Sequence, residues 1–340
     1  MRFARSPYHL AAGFALAAFL SAPSIAANGP QGASVEVFAQ VPQARSLSVC
    51  GGALYVGTKG KAVYGLPISG GRPVQAASGL IAPNGVACLG DRLYVASRDR
   101  ISAFTPSPDG HLANRVDVYV GLPDIAHHGL RYIRAGPDGR LYVSIGSPCN
   151  ICRPEGIQGT IVSLTPDGKD LRRVAWGVRN SVGFDWSGGN MYFTDNGADG
   201  MGDDIPPDEL NELRSGAFYG FPYFGGRVRL KGFENATPPA EQTPPIYEFQ
   251  AHVATLGIHF YHGSMFPDLQ GEALIAEHGS WDRSVPVGYQ VVRLRLGSGR
   301  SGNGQSFLSG IGRPVDVKEL PDGSIVVSDD TGGRIWRVRR

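Results

Sequence analysis

The stretch DGRLYVSIGS, residues 138–147, is the unit from which the fold is read: an Asp-Gly turn, then a short apolar strand. The same unit returns as GGALYVGT (51–58), GDRLYVAS (90–97), GGNMYFTDNG (188–197), GEALIAEHGS (271–280) and DGSIVVSDDTG (322–332). The strand cores begin at 54, 93, 141, 191, 274 and 325, with gaps of 39, 48, 50, 83 and 51 residues. A period of roughly 40–50 residues with several short strands per unit is the pattern of propeller blades. Candidate partner strands follow the repeats: KAVYGL (61–66), RISAF (100–104), GTIVSL (159–164), YQVVRLRL (289–296) and RIWRVR (334–339). No amphipathic helix of ordinary length stands out. The expected fold is all-β, a six-bladed β-propeller of mostly four-stranded antiparallel blades.

The 83-residue gap is expected to hold a long loop insertion at about 199–250, emerging on one face where function is concentrated. The domain reading is a segment 1–27 followed by one propeller over 28–340. Segment 1–27 reads as an export signal: Arg2 and Arg5 lead, Leu10 to Leu20 form the apolar stretch, and Ser24-Ile25-Ala26 offers a small-residue cleavage site. The apolar part, about 11 residues, is short of the roughly 20 that span a bilayer. A secreted or periplasmic protein with no membrane span is expected.

Removing that segment leaves 30 basic against 30 acidic residues, which gives no electrostatic case for nucleic acid or an anionic membrane. The 48 glycines and 25 prolines suit many strands joined by many turns. Of the four cysteines, Cys149 and Cys152 form the only short pair. No histidine follows for haem attachment and no second ligand pair for zinc, so a structural disulfide or buried thiol pair is expected. The pairing among Cys50, Cys88, Cys149 and Cys152 is left open.

In a propeller, residues at the ends of repeat strands or just before them meet over the central channel. Here these include His127-His128, Arg179-Asn180, Asp195-Asn196-Gly197, His278, Trp281, Arg283, Arg313, Asp316 and Asp329-Asp330-Thr331. Arginines and histidines converging on one channel imply an anionic or oxygen-rich ligand. Phe218, Tyr219, Phe221, Tyr223 and Phe224 are expected to pack the long loop.

HHGLRYIRAGPDGRLYVSIG, WGVRNSVGFDW, TDNGADG with PDELNEL, AFYGFPYFGG, AHVATLGIHFY, AEHGSWDR with VPVGYQVVRL, and GRPVDV with PDGSIVVSDDTGG occur in that order. The set resembles the glucose/sorbosone dehydrogenase family, soluble six-bladed propeller enzymes that use pyrroloquinoline quinone (PQQ) and calcium. The likeness covers about residues 120–340, and the SPCNIC variant looks most like the sorbosone branch. It implies oxidation of an aldose or a sorbosone-like sugar aldehyde, with an electron acceptor that the residues do not identify. A histidine would take the hydroxyl proton while hydride passes to the quinone, a task suited to imidazole. Ungapped alignment from GPDG favours His128 as this base; alignment on the HxGxR spacing favours His127.

The resemblance further places Arg179 beside the quinone carbonyls, Asn180 at the cofactor rim, and Arg283 and Arg313 at its carboxylates. Trp281, Asp316, Asp330 and Thr331 complete the expected cofactor contacts, a turn-forming role for Asp330 and Thr331 being the alternative. The second arginine of the family's R-x-R-D pattern is Val315 here, which removes one carboxylate contact. Calcium would take the backbone oxygens of Gly197 and Ala198 and the carboxylate of Asp208, with Asp199, Asp203 and Asp204 as further candidates. The competing readings are a calcium-dependent sugar lactonase and a non-catalytic propeller that binds partners.

Overall fold

The computed structural model describes residues 27–297 and 301–340. The expected export signal lies outside the described residues, apart from Ala27. Among the described residues, no helix is long and apolar enough to cross a membrane. Six sheets of four or five strands form the six blades. Five start at Ala44–Cys50, Gly85–Leu89, Ile133–Ala135, Phe184–Ser187 and Thr255–Phe260, and the third and fourth also take in short parallel edge strands from later in the chain, Ala217–Phe218 and Ser301–Gly302. The sixth joins Pro314–Glu319, Ile325–Asp329 and Arg334–Arg339 to the N-terminal strand Ser34–Gln40. That strand pairs antiparallel with Arg334–Arg339, from Ser34 opposite Arg339 to Gln40 opposite Arg334, and so closes the ring.

The six repeats that decided the fold are the second strands of their blades: Ala53–Thr58, Arg92–Ala96, Leu141–Ile145, Asn190–Asp195, Ala273–Glu277 and Ile325–Asp329. Their near-continuous apolar reading has a simple cause. Each blade is packed on both faces, so both sets of alternating side chains are buried. Leu54 and Val56 enter the seam with the last blade, whereas Ala53 and Tyr55 enter the seam with the second. Leu274 and Ala276 likewise face the sixth blade, and Ala273 and Ile275 the fourth. Six such apolar seams, one between each pair of neighbouring blades, make up the main core.

The long gap resolves into strands of blade 4 and two excursions. Asp208–Glu212 and Tyr247–Phe249 are the third and fourth strands of that blade, within the span expected to be insertion. The excursion 213–246 packs Phe218, Tyr219, Phe221 and Tyr223 inward, with Tyr219 edge-on to Phe193 at 4.8 Å. Phe224 is half-buried beneath the Arg229 guanidinium. The other excursion, 196–207, lies at the channel mouth. Both cysteine pairs are disulfides: Cys50–Cys88 ties the inner strands of blades 1 and 2, and Cys149–Cys152 closes a short loop after the second strand of blade 3.

Candidate active site

The first strand of each blade lines the channel, and the loops leading into those strands meet at one end. There they enclose a cavity of about 300 Å³. Blade 1 supplies Arg45, the loop before blade 3 supplies His128, and the loop before blade 4 supplies Arg179 and Asn180. Asn196, Gly197, Asp199 and Asp208 come from blade 4; His252, His278, Trp281 and Asp282 from blade 5; Arg313 from the entry to blade 6. Val182 and Leu256, which line the cavity, pack with the buried Val315 into a small apolar floor. The position where the resembling family carries a second arginine is part of that floor.

His128 is held from two sides. Its backbone is in the left-handed region, φ 48°, a costly conformation for a residue with a side chain. It rides over Gly146, where an added Cβ would lie 2.5 Å from the His128 Cβ. Its Nδ1 stands 3.0 Å from the Ser147 carbonyl oxygen, to which it donates, and 3.1 Å from the Ser147 hydroxyl. Donation from Nδ1 leaves the Nε2 lone pair free as an acceptor. Burial, the Arg179 charge and the neighbouring His127 together push the imidazole down to about 2, so the ring is neutral. His127 is exposed, its ring centroid 4.0 Å from that of His128 with the rings tilted by 53°, and it does not line the cavity.

Arg179 is presented by Asp195, whose two carboxylate oxygens accept the Arg179 and Asn180 backbone N–H groups at 2.8 and 2.6 Å. Its guanidinium donates to Asn150 O (3.0 Å), Asn150 Oδ1 (2.8 Å), Asn196 O (3.2 Å) and Asp199 Oδ2 (3.0 Å). Four of five donors are therefore committed to the protein. Arg45 donates from Nε to Asn84 Oδ1 at 2.6 Å and from Nη1 to Asp330 Oδ2 at 2.8 Å. Burial raises the Asp330 carboxyl, but Arg45, His278 and Lys59 outweigh it and hold it at about 2. Arg313 is the least committed, donating one bond from Nη2 to Gly279 O at 2.6 Å.

Asp208 is buried and accepts Gly197 N at 2.7 Å and Ala254 N at 2.6 Å. Burial pushes its carboxyl up to about 6. Asp199, His252 and Asp282 each offer a ligand atom within 4.8 Å of one another. One Asp282 oxygen is buried without a hydrogen-bond donor. An added Cβ at Gly197 would lie 2.7 Å from Pro207 O, so the loop tolerates only glycine there.

The structure thus brings His128, Arg179, Asn180, Gly197, Asp208, Trp281 and Arg313 to one cavity. Other expected site residues do not line it. Arg283 turns to the acidic loop, donating to Asp203 O and pairing with Asp204 at 3.5 Å, where backbone and carboxylate oxygens satisfy its guanidinium. Asp316 faces the neighbouring inner strand and accepts Leu47 N at 2.8 Å and Val317 N at 3.0 Å. Asp330 acts behind Arg45, and Thr331 is an exposed turn residue donating to Asp330 at 3.2 Å. The Ala198 side chain packs with Phe221 and Leu230. Arg45, Asn150 and Asp282 were missed, whereas His252, which the sequence leaves between a substrate-facing and a structural role, lines the cavity. Arg45 could have been found by position, since it stands at the entry to an inner strand, as Arg313 does.

A closed propeller with guanidiniums, a neutral imidazole and buried carboxylates at one channel mouth defines a class: small-ligand propellers that work at the end of the channel. Residues 96–337 match the family model described as Glucose / Sorbosone dehydrogenase, and the chain belongs to that family of sugar oxidoreductases. An uncharacterised protein of Borreliella burgdorferi is 39% identical over 284 residues, 75% of each chain. The holo PQQ domain of pyranose dehydrogenase from Coprinopsis cinerea has a similar fold (TM-score 0.76, 19% identity, 94% of this chain and 98% of that one). So does the calcium structure of a Trichoderma reesei enzyme of carbohydrate-active family AA12 (TM-score 0.77, 21% identity, 94% and 98% covered).

Proposed function

We propose that this chain is a PQQ-dependent sugar dehydrogenase, oxidising an aldose or sorbosone-like substrate with a divalent cation, calcium, at the cavity. The observation that carries the reading is the meeting of Arg45, Arg179 and Arg313 with the neutral His128 around one cavity. The donor set fits the quinone acid. Guanidinium is shaped for carboxylate, and Arg313 and Arg45 keep uncommitted donors. It fits a cation as well. Asp208 is a buried carboxylate that accepts two backbone N–H groups, and Asp282, with one oxygen lacking a hydrogen-bond donor, lines the same cavity. Calcium favours such hard oxygens, and the Gly197 and Ala198 carbonyls would complete the set.

When bound, the quinone supplies the electrophilic carbonyl that receives hydride. His128 Nε2 accepts the proton of the substrate hydroxyl, its tautomer fixed by Ser147. Arg179 holds a fixed positive charge where negative charge develops, and its four protein acceptors spare it reorganisation during the reaction. The exposed Trp281 ring walls the mouth. Export to the periplasm or exterior is proposed from the 1–27 segment.

The test is direct. The purified protein is supplied with PQQ and calcium, and reduction of an artificial acceptor is followed with aldoses and sorbosone. Dye reduction with at least one sugar, and a spectral change on quinone binding, are expected. Absence of both overturns the reading. The Asp199, His252 and Asp282 grouping favours one rival, a metal-dependent lactonase, which would show metal-dependent hydrolysis of sugar lactones without quinone.

A further inference from the structure

The loop between Cys149 and Cys152 holds more of the site than its place outside the cavity wall suggests. Asn150, inside that bridge, gives its carbonyl oxygen and Oδ1 to Arg179 at 3.0 and 2.8 Å. The same Oδ1 accepts Asp199 N at 2.9 Å, and Nδ2 donates to Asp199 O at 2.8 Å. Three residues before Asn150, Ser147 holds His128 Nδ1, donates its hydroxyl to Cys149 O at 2.7 Å and donates its N–H to Arg179 O at 2.8 Å. One short loop therefore ties together the imidazole, the guanidinium and the acidic wall. It belongs to the strand-free run 146–159, which without a cross-link would carry considerable conformational freedom.

We propose that the Cys149–Cys152 bridge is a latch that presents Asn150, and that Asn150 is a positioning residue for Arg179 and Asp199. The proposal rests on the reading of Arg179 as the charge beside the quinone. The other disulfide supplies a control within the same molecule. Cys50–Cys88 joins blades 1 and 2 at the ends of inner strands remote from Arg45 and the mouth, so its loss acts on stability alone.

Two measurements on the purified protein separate the latch from a plain staple. The first is amide hydrogen exchange at Ser147 and Asp199 without cofactor. The second is PQQ titration followed by absorbance. Cys149→Ser/Cys152→Ser and Asn150→Ala are each expected to speed exchange at Asp199 at least tenfold and weaken quinone binding about tenfold. Cys50→Ser/Cys88→Ser is expected to lower the melting temperature with neither effect. Asn150→Asp, which keeps the Oδ1 acceptor, should recover part of the binding lost in Asn150→Ala. Wild-type exchange and quinone affinity in Asn150→Ala, or in the Cys149→Ser/Cys152→Ser protein, would overturn the proposal. Asn150→Ala keeps the bridge intact and decides the positioning role if the serine variant does not fold. If the wild type itself binds no quinone, the function proposed above fails, while the exchange measurement still decides the latch.

Discussion

Asp208 allows the cation reading to be tested by stability, with no substrate involved. Its carboxyl is raised by burial from an ordinary 3.8 to about 6. At about 1.4 kcal/mol per unit, the shift amounts to roughly 3 kcal/mol. The sign follows from proton counting. Below about pH 4 the folded and unfolded chains both hold the proton, and the raised value costs nothing. Between about pH 4 and 6 the unfolded chain has released its proton while the folded one keeps it, so stability falls as pH rises. Above about pH 6 the buried carboxylate is charged and the full cost of roughly 3 kcal/mol is present unless a cation offsets it.

Calcium should therefore stabilise the wild type far more at pH 7.5 than at pH 4.5. At the lower pH, proton competition alone would weaken its apparent affinity about thirtyfold, from 1.5 units of pH below a value near 6. For a chain of this length, recovering 3 kcal/mol corresponds to a rise of roughly 5 °C in melting temperature. Thermal unfolding in chelator and in millimolar calcium, at both pH values, measures this directly. Asp208→Asn should lose most of the calcium gain at pH 7.5. Equal calcium gains at the two pH values, or an undiminished gain in Asp208→Asn, would refute the reasoning.

Replacing His128 by Ala should lower kcat by about 10²–10⁴, the usual contribution of a positioned base, whereas His127→Ala should keep most turnover; the reverse in steady-state assays would move the base to His127. Gly146→Ala forces a Cβ into contact with the His128 Cβ and should lower kcat at least tenfold with little change in quinone affinity, read by single-turnover dye reduction. Arg313→Met removes a guanidinium bound to the protein through one carbonyl, so quinone affinity should fall about tenfold or more while the melting temperature stays nearly unchanged.

The blades were legible because a second strand packed on both faces must be apolar throughout, and its turn must carry Gly or Asp-Gly. Ser34–Gln40 and Asp208–Glu212 are instructive among the strands without that signature. Ser34–Gln40 is an outer strand with largely exposed or half-buried side chains, so SVEVFAQ gives little pattern. Asp208–Glu212 reads DELNE and looks like a loop, yet Asp208, Glu209 and Asn211 are buried. Their polar groups are met by partners such as Gly197 N and Ala254 N, supplied by segments distant in sequence, and periodicity cannot see such partners. The site was legible where a residue type was out of place, as at His128, Arg179 and Arg313. Arg45 escaped because ARSLSVC reads as an ordinary strand start. Arg283 points instead to the acidic 203–204 loop, because one sequence does not say which neighbourhood a long side chain will reach.

On the function proposed above, the three cavity arginines would divide the work of holding an acid according to how many donors each has left. Arg179, with four protein acceptors, has nearly no bonding capacity to offer and acts through a fixed charge. Arg45 is anchored from below by Asn84 and Asp330, which fixes its direction while leaving donors on its outer edge. Arg313 packs over the Tyr289 ring with one bond to the protein, and so keeps the largest free fork for a carboxylate. Val315 seals the floor with Val182 and Leu256. A guanidinium restored at 315 would enter an apolar contact with no acceptor nearby in that cluster, and a buried unpaired charge costs several kcal/mol. Val315→Arg should therefore lower the melting temperature of the free protein, and added quinone should recover that loss only if the new side chain reaches the cavity. Thermal unfolding with and without quinone reads both effects, and an unchanged melting temperature in the free variant would show that the floor yields more easily than its packing implies.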